Sequence, residues 1–117
     1  MEEELQRRLD ALQERFGNCS AVEAVKQYIE IMPPGEYAFS RLRYFSEATD
    51  ENDLIDRCLT EVAIQELLLS RLKGISSFFP ARYLDHPRYL QIKAKIQAEY
   101  DRTLENNPGL EDALKKL

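Results

Sequence analysis

The sequence predicts an all-α single domain over residues 1–117: a helical bundle of four main helices, with a short aromatic helix and a short C-terminal helix added. Three observations carry that reading. Apolar residues recur at intervals of three and four along most of the chain. The four Gly and five Pro stand between the periodic segments or at their first turn. Residues 53–73, DLIDRCLTEVAIQELLLSRLK, form a long apolar run that contains neither.

The first helix covers residues 2–16. Leu5, Leu9, Leu12 and Phe16 make a narrow seam of the coiled-coil type. Nearly every other position is charged or Gln. Gly17-Asn18 stops the helix, since both residues tolerate the left-handed conformation. So short a seam does not hold a coiled coil alone, and it is expected to dock on the bundle. Ser20 and Glu23 have the spacing of a capping box and open the second helix. That helix runs to about residue 32, with Val22, Val25, Ile29 and Met32 facing inward. Pro33-Pro34-Gly35 breaks it. The third helix, residues 36–47, carries Tyr37, Phe39, Tyr44 and Phe45, with Arg41 and Arg43 interleaved. Such a mixture suits nucleic-acid stacking. A helix this short also needs its aromatics for the core, and core plus ordinary surface is the expected reading.

Thr49-Asp50-Glu51 is an acidic cap at the positive end of the central helix. On a helical wheel, Leu54, Ile55, Cys58, Leu59, Val62, Leu69 and Leu72 share one broad side. Asp53, Asp56, Arg57, Thr60 and Glu61 are assigned to the opposite, solvated side. Ile64, Leu67 and Leu68 then fall on that polar side, so residues 62–72 are apolar nearly all round. Such a segment belongs in the middle of a bundle or in half of an interface. Glu66 falls within the apolar side. It reads as a charge that an Arg or Tyr of another helix partners or that reaches a rim, or, more sharply, as a buried polar determinant that sets packing register or recognises a partner's cation. Gly74 closes the helix.

Residues 75–84 are the longest non-periodic segment. Phe78-Phe79-Pro80 within it reads as a recognition loop or as a hydrophobic strap over the core. Asp85 or His86 caps the fifth helix, and Pro87 suits its first turn. Tyr89, Ile92, Ile96, Tyr100 and Leu104 form its apolar stripe. Arg88, Lys93, Lys95 and Arg102 keep the remainder basic. Asn106-Asn107-Pro108-Gly109 ends it, and Leu110, Ala113, Leu114 and Leu117 mark a short last helix. The run from Tyr100 to Pro108 resembles the second helix of a tetratricopeptide repeat. It covers less than one repeat. Pro80 and Pro87 stand where the preceding helix would need core residues, so the resemblance implies no function.

Composition removes several function classes. Two cysteines, Cys19 and Cys58, do not make a disulfide framework and are expected to be reduced. The charged start MEEELQRR lacks the apolar core of a signal peptide. No apolar run approaches the ~20 residues that span a bilayer. A cytoplasmic location and no membrane partner are expected. A single histidine excludes metal sites built on His pairs. No Cys-x-x-Cys and no Gly-rich phosphate loop occurs. No cofactor and no metal are expected, and a Cys19–His86 nucleophile pair would need the fold to join them.

Charge is uneven. The chain totals −5, but residues 1–70 carry 7 basic and 15 acidic side chains, net −8, and residues 71–102 carry 7 and 3, net +4. The expected function is a non-catalytic protein–protein interaction module, an adaptor or regulatory subunit. Its contact residues are expected at Phe78, Phe79, Arg82, Tyr83 and Arg88, because aromatics and Arg dominate binding hot spots. The partner is another protein or a second copy, giving a homodimer. The alternative is a nucleic-acid-associated regulatory protein using the basic face of residues 71–102. A weaker alternative is a small carboxylate-based enzyme.

Overall fold

A seam of leucines turns the first helix inward. Leu5, Leu9 and Leu12 are buried, and Phe16 packs against the same core. The computed structural model describes residues 3–67 and 74–115. In chain order these form α1 (Glu3–Phe16), α2 (Ser20–Glu30), α3 (Glu36–Ser46), α4 (Glu51–Leu67), two 3-10 turns (Ile75–Ser77 and Ala81–Tyr83), α5 (Pro87–Asn106) and α6 (Leu110–Lys115). The protein is all-α, and the described residues contain no strand.

α1 contacts both α2 and α3, and its seam joins the common core, so the helix docks on its own chain. Gly17 ends it at φ 79°, where its amide donates to the Gln13 carbonyl at 2.7 Å. The expected capping box of α2 does not form. Cys19 is the N-cap residue, and the Glu23 amide donates to its backbone carbonyl at 3.1 Å. That amide is therefore satisfied without the Ser20 hydroxyl. Inside α2, Val22, Val25 and Ile29 are buried as expected, together with Ala21, Ala24 and Tyr28.

α3 contributes Ala38, Leu42 and Phe45 to the core, while Tyr37 is 63% exposed. The Phe45 ring meets the edge of Tyr28 at 6.4 Å. α4 is opened by acids. Asp50 accepts the Asp53 amide at 2.8 Å, and the Asp53 carboxylate accepts the Thr49 amide at 2.9 Å. The Thr49 bond, with help from Arg57, holds the Asp53 carboxyl below its ordinary value.

α4 lies at the centre of the packing. It contacts α2 and α3 along one side and α5 along another. This explains why Leu54 and Ala63, nine residues apart on opposite sides of the helix, are both buried. Ile64 and Leu67 are half-buried. Leu68, Leu69 and Leu72, and the expected closure of the helix at Gly74, concern residues outside the described set. The turn at Ile75–Ser77 packs against α2 and α4, and Ile75 is fully enclosed there. Along α5, Tyr89 is buried, and Ile92, Ile96, Tyr100 and Leu104 are half-buried, so the one-sided stripe is present. In α6, Leu110 is half-buried and Ala113 is exposed; the side chains of Leu114 and Leu117 lie outside the described set.

Candidate functional site: the groove between α4 and the start of α5

The segment after Gly74 closes over the core before it reaches α5. Phe79 is 5% exposed, and Phe78, Tyr83 and Leu84 pack partly buried against the same core. The Phe79 and Tyr83 rings meet at 4.9 Å. A Phe side chain buried this far contributes about 2–3 kcal/mol by removal from water. Phe79 is thus enclosed by the fold, as the strap reading expects, and does not lie on the surface where a partner contact was also placed. Tyr83 presents the outer side of the strap, with the exposed Arg82 guanidinium 5.0 Å above its ring.

His86 then sets the direction of α5. Its Nδ1 accepts the Arg88 amide at 3.1 Å, and Pro87 follows it in the first turn. This start throws Arg88 across to α4. Arg88 Nε donates to Asp56 Oδ1 at 2.9 Å, and Nη2 donates to Oδ2, a bidentate pair. Between strap, α4 and α5 lies a groove of about 430 Å³. It is lined by the apolar side chains Ile55, Leu59 and Tyr83 and by the polar side chains Asn52, Asp56, His86 and Arg88. Of the five residues expected to contact a partner, the fold brings Tyr83 and Arg88 to this groove and Arg82 beside it. Phe78 packs against the core below.

Ile55 and Leu59 were not among the expected contacts. Their four-residue spacing on either side of Asp56 is the signal that places them on one face of α4. Both had been counted simply as core. They are α4 residues whose apolar side turns toward α5 and the strap and not wholly into the α2–α3 core.

The buried carboxylate of α4 is Glu61 and not Glu66. Glu61 is 3% exposed, with Arg41 Nε 2.9 Å from its Oε2. The two atoms are close, but the Nε–H is not aligned on Oε2 as a hydrogen bond. Burial pushes the Glu61 carboxyl above its ordinary value, and Arg41 opposes that rise. Seven residues are almost two full turns, so Glu61 stands within about 20° of Leu54 on the wheel. Its assignment to the solvated side is therefore corrected, and the wheel itself carried the signal. Glu66 instead sits exposed at the edge toward α5. There it accepts from the Tyr89 hydroxyl at 2.8 Å and lies 3.1 Å from Lys93 Nζ. The expected Tyr partner is present and the charge reaches a rim, whereas the buried-determinant reading is not met.

Two further polar features support the Glu61 region. Arg41 and Arg57 flank the Tyr44 ring at 4.8 Å and 4.9 Å. Gln65 donates to the Tyr28 hydroxyl at 2.6 Å and accepts the Ile75 amide at 3.1 Å. Burial first, and Glu61 second, push the Tyr28 hydroxyl up. Every one of these contacts is internal to the fold.

On the basic face of residues 71–102, Arg88 is held by Asp56 and Lys93 by Glu66. Burial pushes the Cys58 thiol up, which suits a small core residue and not a nucleophile. Among the described residues, no group of three or more His, Cys, Asp or Glu could hold a metal ion. No helix among them is long and apolar enough to cross a membrane. Comparison with known proteins returns no match: no family model, no curated protein and no solved structure proves similar to this chain.

Proposed function

We propose that this protein is a non-catalytic protein–protein interaction module that receives a segment of its partner in the groove between α4 and the start of α5. The observation that carries the reading is the composition of that groove. The apolar side chains Ile55, Leu59 and Tyr83 line it together with the polar side chains Asn52, Asp56, His86 and Arg88. An apolar centre with a polar rim is how protein interfaces combine burial with orientation. The Arg88–Asp56 pair spans the groove between two helices and presents a planar, already oriented edge. A partner side chain of Leu or Phe size packs on the apolar lining, and its backbone amides and carbonyls meet the polar groups.

The test is selection of displayed peptides on the full chain, with counter-selection against an Ile55→Lys variant whose fold is verified by circular dichroism. Sequences that share an apolar anchor and discriminate the two proteins by about tenfold or more support the reading. Binders indifferent to Ile55→Lys, or no wild-type-selective binder at all, would remove it.

A further inference from the structure

A second groove, of about 350 Å³, runs between α1 and α3. Its floor is Ala11 and Leu12, and three arginines face it: Arg8, Arg15 and Arg43. Arg8 and Arg15 are seven residues apart on α1, so they stand about 10 Å apart along the helix axis. Arg43 projects from α3.

Two of the three are held in place by the fold. Arg8 Nε donates to Glu4 at 3.0 Å, and its guanidinium lies 5.2 Å over the Phe39 ring. Arg15 Nη1 donates to the Ser46 carbonyl at 2.7 Å. Each of these hydrogen bonds uses one of five N–H donors, which leaves further donors on each guanidinium. Arg43 is exposed, and it has no ion pair and no side-chain hydrogen bond among the described residues. Among the described residues, Glu47 is the one carboxylate in the lining and lies 4.0 Å from Arg57, while Glu4 pairs with Arg8 from the groove's edge.

This concentration is unusual for its setting. Residues 1–70 carry 7 basic and 15 acidic side chains, yet three of the seven cations gather here. Glu4 pairs with Arg8, while Arg15 and Arg43 have no carboxylate partner among the described residues. Preformed guanidiniums bind carboxylates in planar, often bidentate geometry.

We infer that the α1–α3 groove docks an acidic segment of another protein, one with at least two carboxylates flanking an apolar side chain. The carboxylates engage Arg8, Arg15 and Arg43, and the apolar group rests on Ala11 and Leu12. The apolar floor distinguishes a peptide from a nucleic-acid backbone, which has no apolar group to place there. The acidic surroundings repel a long polyanion, whereas a short acidic peptide feels mainly the nearby guanidiniums within a Debye length. The inference is independent of the α4–α5 groove.

The experiment is fluorescence anisotropy on the full chain with a labelled peptide of repeating Asp-Leu-Glu. A labelled Asn-Leu-Gln peptide of equal length and a labelled single-stranded oligonucleotide serve as comparisons. Arg43→Gln and Arg43→Glu are the variants, chosen because the exposed Arg43 side chain makes no hydrogen bond or ion pair among the described residues. The acidic peptide is expected to bind at low salt and to weaken as salt rises. The neutral peptide is expected not to bind. Arg43→Glu should weaken the acidic peptide by about tenfold or more, with Arg43→Gln intermediate. Ile55→Lys should leave it unchanged.

Failure of the acidic peptide to bind at low salt overturns the inference, as does unchanged affinity in Arg43→Glu. Tighter binding of the oligonucleotide overturns it in favour of nucleic acid. A dimer in light scattering that Arg43→Glu dissociates overturns it in favour of a second copy.

Discussion

Arg41 Nε and Glu61 Oε2 lie 2.9 Å apart across the α3–α4 interface, with the Glu61 side chain 4% exposed and that of Arg41 23% exposed. The pair joins two helices, but its cost of desolvation is high and its hydrogen-bond alignment is poor. A buried pair of this kind is expected to be expensive to break and inexpensive to replace. Arg41→Met alone should lose about 3–5 kcal/mol in urea unfolding, because it leaves Glu61 buried without its counter-ion. Arg41→Met combined with Glu61→Leu should recover most of that loss. A double variant as unstable as the single would show that the pair itself contributes net stability.

The same carboxylate sets a pH dependence. Burial holds the folded-state value of Glu61 above its ordinary 4.5. The folded state therefore binds more protons than the unfolded state above that pH, and Glu61's contribution to stability falls as pH rises through the folded value. Asp53 acts in the opposite direction. Its lowered value contributes stability above its ordinary 3.8 and loses it as pH falls. The clean measurement is the difference between Glu61→Gln and wild type. That difference should move in favour of Gln as pH rises from 4.5. A pH-independent difference in denaturant midpoint would contradict the assignment.

Phe79 and Arg82 are three residues apart and should behave as different kinds of residue. Phe79→Ala removes a side chain that is 5% exposed and should cost about 3–5 kcal/mol. Arg82→Ala removes an exposed group and should stay within about 0.5 kcal/mol of wild type. Thermal and urea unfolding of the two variants decide between strap and recognition loop at this position.

Gly74 is required by its neighbour and not by its own backbone. Its φ of −101° suits any residue. A Cβ there would run into the Gln65 amide, with Cδ at 2.9 Å. Gln65 has little freedom to retreat, since it bonds the Tyr28 hydroxyl and the Ile75 amide. Gly74→Ala should cost about 1–3 kcal/mol, and much less in a Gln65→Ala background. Equal costs in both backgrounds would place the strain elsewhere.

Tyr89 couples α5 to α4 by its ring and by its hydroxyl. Tyr89→Phe removes the bond to the exposed Glu66 and should cost about 1 kcal/mol. Tyr89→Ala also removes a ring that is 3% exposed and should cost about 3–5 kcal/mol. Equal unfolding midpoints for wild type and Tyr89→Phe would show that the hydroxyl contact carries no net stability.

Much of the fold was legible along the chain because helix periodicity and helix punctuation are local. The seam of Leu5, Leu9 and Leu12, the break at Pro33-Pro34-Gly35, the acidic opening of α4 and the His86-Pro87 start of α5 all follow from near neighbours. The capping box at Ser20 did not follow. The choice of first helical residue depends on which carbonyl reaches the Glu23 amide, and Cys19 supplies it.

The candidate site was legible only in part. Tyr83 and Arg88 carry residue types that mark interfaces, but type does not reveal exposure. Phe78 and Phe79 have the same side chain and adjacent positions, yet Phe79 is the one inside the core. Burial is decided by which elements cover a face, and that depends on contacts between residues far apart in the chain.

By itself, then, the sequence determined an all-α chain and the starts of most of its helices. The tertiary structure decided which carboxylate of α4 is enclosed, how the strap lies, and where Arg8, Arg15 and Arg43 meet. The physical reason is range. Helix formation is settled over three or four residues, whereas desolvation and charge clustering are set by packing between segments tens of residues apart.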